Sequence, residues 1–383
     1  MSPRIMIVTG EASGDLHGAN LLRAMQSRLP ELTACGMGGR ELASFGMEIL
    51  CDAAKVSVVG IFEVLAHLGD IVAAQRVLRR HMRQEQPDLL ILIDLPDFNL
   101  MLAKQAKILG IPVFYYISPQ VWAWRSGRIR LLRQRVDKIG VILPFEEEFF
   151  RRHGVVADYV GHPLLDTVAT SMGREEFCHR HGIAADALCI GLLPGSRKRE
   201  ISSLLPVFLD AAHLLEERCG RRPVFLLPQA STIEEADLDA AGLAAARKSL
   251  DLRVIREERY DMMAACQAVM AASGTVTLEL AILGVPMVVA YRLSPATYFL
   301  ARLLVRLDAF SLPNLIAGRM AVPELLQKEV TAARLADEVA ALLRDGAKMA
   351  AMRTALDEVR QRLGRPGASQ LAAQSALALL RQG

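Results

Sequence analysis

The sequence has no CxxC pair. Its six cysteines (Cys35, Cys51, Cys178, Cys189, Cys219 and Cys266) are scattered, which excludes a zinc ribbon, a thioredoxin motif and a disulfide framework. Aromatic residues make up only 5% against an abundance of Ala, Leu and Val, a composition of α/β layers and not of an all-β sandwich. Neither sign of charge dominates: 45 Lys and Arg against 42 Asp and Glu leave +3, too little to point to nucleic acid. Long apolar runs are also missing. The two uncharged stretches, 108–124 and 262–278, are interrupted by glycine, proline or hydroxyl residues and fall short of the ~20 residues a membrane span needs. Glu11 follows an apolar run of only strand length, so no secretory leader is expected and the cytoplasm is the expected location. GxGxxG, GxxxxGK[ST] and any short-period repeat are absent as well, which argues against a dehydrogenase, a P-loop ATPase and a solenoid.

What the chain does have is length and apolar content. Its 383 residues, 52% hydrophobic and 23% charged, exceed one domain and can supply two cores. Short apolar runs ending in turn residues alternate with helical patterns. IMIVTG (5–10) precedes a helix over 15–29 and DLLILID (88–94) one over 98–109, with further strands at 112–117, 138–143 and 158–161. A second series runs through 188–195, 223–229, 252–256, 268–273 and 286–291. Continuous apolar strands between helices predict parallel sheets covered on both faces. The seam falls after GHPLLD (161–166), and helical patterns at 331–344 and 347–363 and a last Ala/Leu helix close the chain. Two doubly wound domains facing a central cleft are the expected architecture, with ligands beyond the carboxyl ends of the strands.

Four strand-end motifs carry the chemistry. In GEASGDLHG (10–18) three glycines four apart allow a tight turn with exposed N–H groups at a helix start, where Ser13 and Asp15 either face a ligand or cap the helix. In IDLPDFN (93–99) Asp94 and Asp97 stand three apart at the end of a buried strand. A carboxylate there suits abstraction of an alcohol proton, with Asp97 the candidate base and Asp94 equally readable as a turn cap. In LLPGSRKRE (192–200) Gly195 and Ser196 bring backbone close and Arg197 offers a bidentate fork for phosphate, while Lys198 and Arg199 read as a solvated charge run. In SGTVTLE (273–279) hydroxyls and N–H groups again precede a helix, and Glu279 either accepts ribose hydroxyls or answers the helix dipole. The DxxD of Asp94 and Asp97 is not a DxD, and no metal constellation is visible, so the expected chemistry uses no metal and no cofactor. Three further segments, 56–72 with Arg76, Arg79, Arg80 and Arg83 after it, 125–138, and 291–307, combine apolar faces with arginines. They read either as core helices with solvated faces or as contacts with an anionic lipid surface.

Taken together, GEASGDLHG (10–18), VSVVGIFEVL (56–65), IDLPDFN (93–99), YYISPQVWAWRSGRI (115–129), GHPLLD (161–166), LLPGSRKREI (192–201), ASGTVTLE (272–279) and SLPNLIAGR (311–319) resemble the lipid-A-disaccharide synthase family over almost the whole chain. The resemblance implies a GT-B glycosyltransferase of two Rossmann-like domains. The division expected is 1–168 as an acceptor- and membrane-facing domain, completed by helices 347–383, and 169–346 as the UDP-sugar domain. It implies an inverting transfer from UDP-2,3-diacylglucosamine to 2,3-diacylglucosamine 1-phosphate, giving a β-1,6 disaccharide and UDP, at the cytoplasmic face of an inner membrane. By the same resemblance Asp97 is the base and Arg197 stabilises the leaving UDP. Gly195, Ser196, Ser273, Gly274, Thr275, Thr277, Glu279 and Asn314 meet the donor, while Glu11, Ser13 and Asp15 face the acceptor. An anionic membrane surface is an expected partner, nucleic acid is not, and a homodimer is compatible. The rival readings are another GT-B UDP-GlcNAc transferase or epimerase, and a non-catalytic sugar-nucleotide or lipid carrier.

Overall fold

The computed structural model describes residues 2–56, 68–119, 121–122, 127–293, 298 and 309–380. Two parallel sheets organise these residues. The first has the order β3-β2-β1-β4-β5-β6-β7, built from β1 (Arg4–Val8), β2 (Thr33–Gly38), β3 (Glu48–Asp52), β4 (Leu89–Ile93), β5 (Val113–Tyr116), β6 (Lys138–Val141) and β7 (Ala157–Tyr159). The second has the order β10-β9-β8-β11-β12-β13, from β8 (Cys189–Leu193), β9 (Val224–Pro228), β10 (Asp251–Ile255), β11 (Ala268–Ala272), β12 (Met287–Tyr291) and β13 (Glu324–Leu326). Both follow the doubly wound pattern in which strand order reverses beside the first strand, so each has its switch point between its first and fourth strands.

The central strands β4, β5, β8 and β11 are apolar because both faces of their sheets are covered. In the first sheet Met6, Val8, Leu90, Leu92 and Tyr115 pack with Leu78, Met82 and Phe98 on one side. Their alternates Ile5, Ile7, Ile91, Phe114 and Tyr116 pack with Leu21, Leu22 and Met25 on the other. This alternation follows from the two-residue period of a strand, and the absence of polar residues from it is what a buried parallel sheet requires.

The chain forms two compact units, residues 1–166 with 365–383, and residues 167–364. The C-terminal segment that joins the first unit is therefore shorter than the sequence suggests. The helix Gly346–Arg362 stays in the second unit: it buries Met352, Ala355, Leu356 and Val359 and packs on the helices Thr275–Ile282 and Leu312–Ala317. Arg362 at its end donates to the carbonyls of Ile316 and Ala317 at 2.7 and 3.0 Å. Only the helix Ala368–Leu380 returns, placing Ala372, Ala373, Ala376 and Leu379 in the core beside Phe114 and Tyr116. Asp166 and Asp158 fasten it, accepting from Gly367 N and Ser375 Oγ, each at 2.5 Å.

Of the apolar, arginine-flanked segments, residues 57–67, 123–126, 294–297 and 299–308 lie outside the described residues, as does residue 120. No helix among the described residues is long and apolar enough to cross a membrane.

Candidate active site

In each unit the two strands flanking the switch point are in register, Val8 with Leu92 and Leu193 with Ala271. The turns that follow them therefore emerge side by side. These four turns are the motifs singled out from the sequence.

In the first unit the helix Ala12–Gln26 begins directly after Glu11, three residues earlier than the apolar periodicity suggests. Glu11 and Ser13 are exposed. Gly14 is required: a Cβ there would stand 2.2 Å from Thr9 Oγ1 and 2.7 Å from Asp94 Oδ2. Asp94 thus lies against the backbone of this first turn. Asp94 and Leu95 both adopt left-handed backbone (φ 53 and 39), a strained pair. The turn is held from beneath, because the Asp94 carbonyl accepts from Asn99 Nδ2 at 2.6 Å and from the Tyr115 hydroxyl. Burial, reinforced by the charge of Glu11, pushes the Asp94 carboxyl up to about 6. Asp97 stands in the first turn of the helix Pro96–Ile108 with its side chain 75% exposed, and its carboxylate receives Arg128 Nη2 at 2.5 Å. Arg128, itself only 11% exposed, opens the helix Arg128–Arg135.

Asp15, expected to face the acceptor, has its carboxylate engaged within the unit. It is buried, and its carboxylate accepts from the backbone N–H groups of Gly39, Glu41 and Leu42 at 2.7, 2.8 and 3.4 Å, capping the short helix Arg40–Ser44. Two histidines that the sequence did not mark complete this end of the unit. His162, 6% exposed, accepts from Leu164 N on Nδ1; burial, then the neighbouring charge of His17, lowers it to about 4. Burial lowers His17 as well.

In the second unit Gly195 has φ 116, a conformation L side chains rarely adopt, and turns the chain sharply after β8. Arg197 is the N-cap of the helix Lys198–Arg218, and its side chain is 77% exposed. Lys198 is drawn away to Asp237 at 3.0 Å. After β11, Ser273, Gly274 and Thr275 carry exposed or half-exposed polar groups into the helix Thr275–Ile282. One turn in, Glu279 is 5% exposed; Arg259 Nη2 reaches its Oε1 at 2.6 Å while stacking over the Tyr260 ring at 4.6 Å. Burial raises the Glu279 carboxyl, and Arg259 opposes the shift.

Two expected donor contacts turn inward. Thr277 is fully buried and donates its hydroxyl to Gly274 O at 2.8 Å. Asn314 is 1% exposed, and its amide is used within its own unit: Nδ2 donates to Val322 O and Glu324 Oε1, and Oδ1 accepts from Ala321 N and Val322 N, at 2.7 to 2.9 Å. Thr277 thus closes the turn at Gly274, and Asn314 holds the loop at 321–324. Among the described residues no group of three or more His, Cys, Asp or Glu side chains is arranged to hold a metal ion.

Residues 5–379 match the family model described as lipid-A-disaccharide synthetase. The lipid-A-disaccharide synthase of Geobacter metallireducens is 45% identical over 377 residues, covering 98% of this chain and 97% of that protein. That of Geobacter sulfurreducens is 46% identical over 379 residues, covering 99% and 98%. Among solved structures, MurG from Acinetobacter baumannii aligns with a TM-score of 0.61 at 17% identity, over 98% of this chain and 99% of that one. The calicheamicin glycosyltransferase CalG4 aligns at 0.63 and 15%, over 100% and 99%. The UDP-GlcNAc 2-epimerase from Neisseria meningitidis, bound to UDP-GlcNAc, aligns at 0.61 and 11%, over 99% and 100%. At these identities the likeness is one of fold: the GT-B type, with two parallel-sheet α/β domains.

Proposed function

The chain belongs to the lipid-A-disaccharide synthase family and is a glycosyltransferase, and from that premise we propose that it joins UDP-2,3-diacylglucosamine to 2,3-diacylglucosamine 1-phosphate, giving the β-1,6 disaccharide 1-phosphate and UDP. The observation that carries the assignment of roles is a difference between the two switch points. The first unit presents acids there (Glu11, Asp94 and Asp97), and the second presents a cation and N–H-rich turns (Gly195–Arg197 and Ser273–Thr275) above a buried Glu279.

Asp97 takes the proton of the acceptor 6-hydroxyl as that oxygen attacks C1 of the donor sugar, and the C1–O bond to the diphosphate breaks with inversion. Its exposure leaves the carboxylate open to an acceptor, and Arg128 fixes its direction. Asp94 is the second carboxylate to weigh, since burial brings it to about 6, near what a base at neutral pH needs. Its place against Gly14 and Thr9 favours a supporting part. The turns at Gly195–Arg197 and Ser273–Thr275 hold the diphosphate, with Arg197 meeting the charge that develops on it. Glu279, aligned by Arg259, accepts the ribose hydroxyls. No metal is required in this reading, because the guanidinium and N–H groups supply the countercharge.

The enzyme works at the cytoplasmic face of the membrane that holds its acylated substrates. In support, the helix Leu68–Glu85 exposes Leu68, Val72 and Val77 together with Arg76, Arg80 and Arg83, and the neighbouring helix exposes Met101 and Ile108. Incubation with both substrates in excess EDTA, followed by mass spectrometry, tests the reading. Equimolar disaccharide 1-phosphate and UDP are expected. UDP without disaccharide would mean a hydrolase, an epimerised UDP-sugar an epimerase, and a loss of product that magnesium restores a metal-dependent transfer.

A further inference from the structure

The turn assigned to the donor diphosphate is already occupied by an acid of the chain itself. Glu200 Oε2 accepts from Ser196 N at 3.0 Å and from Arg197 N at 3.3 Å, and Oε1 lies 3.7 Å from the Arg197 guanidinium. The carboxylate fills the concavity that the left-handed Gly195 creates: a Cβ on Gly195 would fall 2.1 Å from Glu200 Oε2. Two successive N–H groups and a guanidinium converging on one anionic oxygen pair form the environment a phosphate oxygen seeks. They cannot serve both anions at once. Helix capping accounts for the bond to Arg197 N. It does not require the additional bond to Ser196 N or the proximity of the Arg197 guanidinium.

We propose that Glu200 is an internal placeholder for the donor diphosphate: it holds the Ser196 and Arg197 N–H groups in the unliganded enzyme, is displaced when the diphosphate binds, and returns to help expel UDP. This rests on the reading of the Gly195–Arg197 turn as the diphosphate seat. The placeholder keeps the turn formed without unsatisfied N–H groups, so the seat is preorganised before donor arrives. Its cost falls on UDP and donor alike, which makes Glu200 a positioning residue that sets nucleotide affinity and release.

UDP titration and stopped-flow release on the full chain test the idea with Glu200→Gln, whose amide oxygen can still accept the capping N–H but carries no charge. UDP is expected to bind about 3- to 10-fold tighter and to leave correspondingly more slowly, with the thermal midpoint little changed. The tightening should persist in roughly 0.5 M salt, where long-range repulsion between a distant carboxylate and the diphosphate is screened. Unchanged or weaker UDP binding would overturn the proposal, as would a tightening that salt abolishes. The parent with UDP bound gives a test that needs no variant: Glu200 should have left both N–H groups, and retention of both bonds would refute displacement. Arg197→Ala separates the two levels. If it leaves UDP affinity intact, the turn is not the diphosphate seat and the underlying reading fails; if it weakens UDP while Glu200→Gln changes nothing, only the placeholder fails.

Discussion

Arg197 and Asp15 show how differently two charged residues in neighbouring kinds of turn can act. Arg197 projects from its N-cap position with most of its side chain exposed. Arg197→Ala should lower turnover by about 10²–10³-fold, because a fixed cation matters most as charge builds on the leaving group. Arg197→Lys should restore only part, since an ammonium lacks the planar fork; complete rescue in steady-state kinetics would show that a point charge suffices. Asp15 instead holds three backbone N–H groups. Asp15→Ala should therefore cost about 1–3 kcal/mol of stability by leaving them unpaired, with UDP affinity unchanged. A fall in acceptor affinity at unaltered melting temperature would restore its role as a ligand contact. The sequence could not separate these two cases. Asp15's partners lie more than twenty residues away at 39–42, Asn314's lie beyond the end of its own helix at 321–324, and Arg128 comes to Asp97 from 31 residues on. Residue type and spacing mark a polar strand-end; only the packed chain decides whether its hydrogen bonds go inward.

At the level of elements, β1, β4, β8 and β11 were legible because central parallel strands are buried on both sides and read as unbroken apolar runs. β2 was not: its segment TACGMG carries two glycines and a threonine, and pairing with β1 overrides a weak local preference. β13, three residues long, has no pattern to read. The start of the helix Pro144–Arg152 offers a test of buried charge. Glu146, 2% exposed, accepts from Leu143 N and Trp122 Nε1, both at 3.0 Å, yet burial pushes it up to about 7. A folded-state pKa raised above the unfolded one stabilises the fold below the ordinary carboxylate range, and that contribution is lost as pH rises through about 7. Glu146→Gln removes the charge but keeps an acceptor for only one of the two donors, so its stability relative to the parent should be about 1–3 kcal/mol more favourable near pH 8.5 than near pH 4. Denaturant midpoints at the two pH values check this, and an equal difference from the parent at both would contradict it.

For the whole molecule, two α/β units were legible in the sequence, but the place of the helix at 346–362 was not. Helical periodicity in 346–362 reports an apolar stripe without saying which core receives it. The exposed face of the helix Leu68–Glu85 combines Leu68, Val72 and Val77 with Arg76, Arg80 and Arg83. Each arginine near an anionic surface contributes roughly 1 kcal/mol. Replacing Arg76, Arg80 and Arg83 together by Ser should therefore reduce sedimentation with anionic vesicles by about tenfold or more and leave neutral vesicles unaffected; undiminished sedimentation of the folded variant would remove this helix from the membrane face. The proposed transfer rests on Asp97 as the base toward the acceptor hydroxyl. Its most direct test is a single turnover of UDP-diacylglucosamine with the acceptor phosphate, comparing the parent with Asp97→Asn. The account predicts disaccharide formation slowed by about 10²–10⁴-fold with UDP affinity preserved; a variant that forms disaccharide at the parent's rate across the pH range would contradict it.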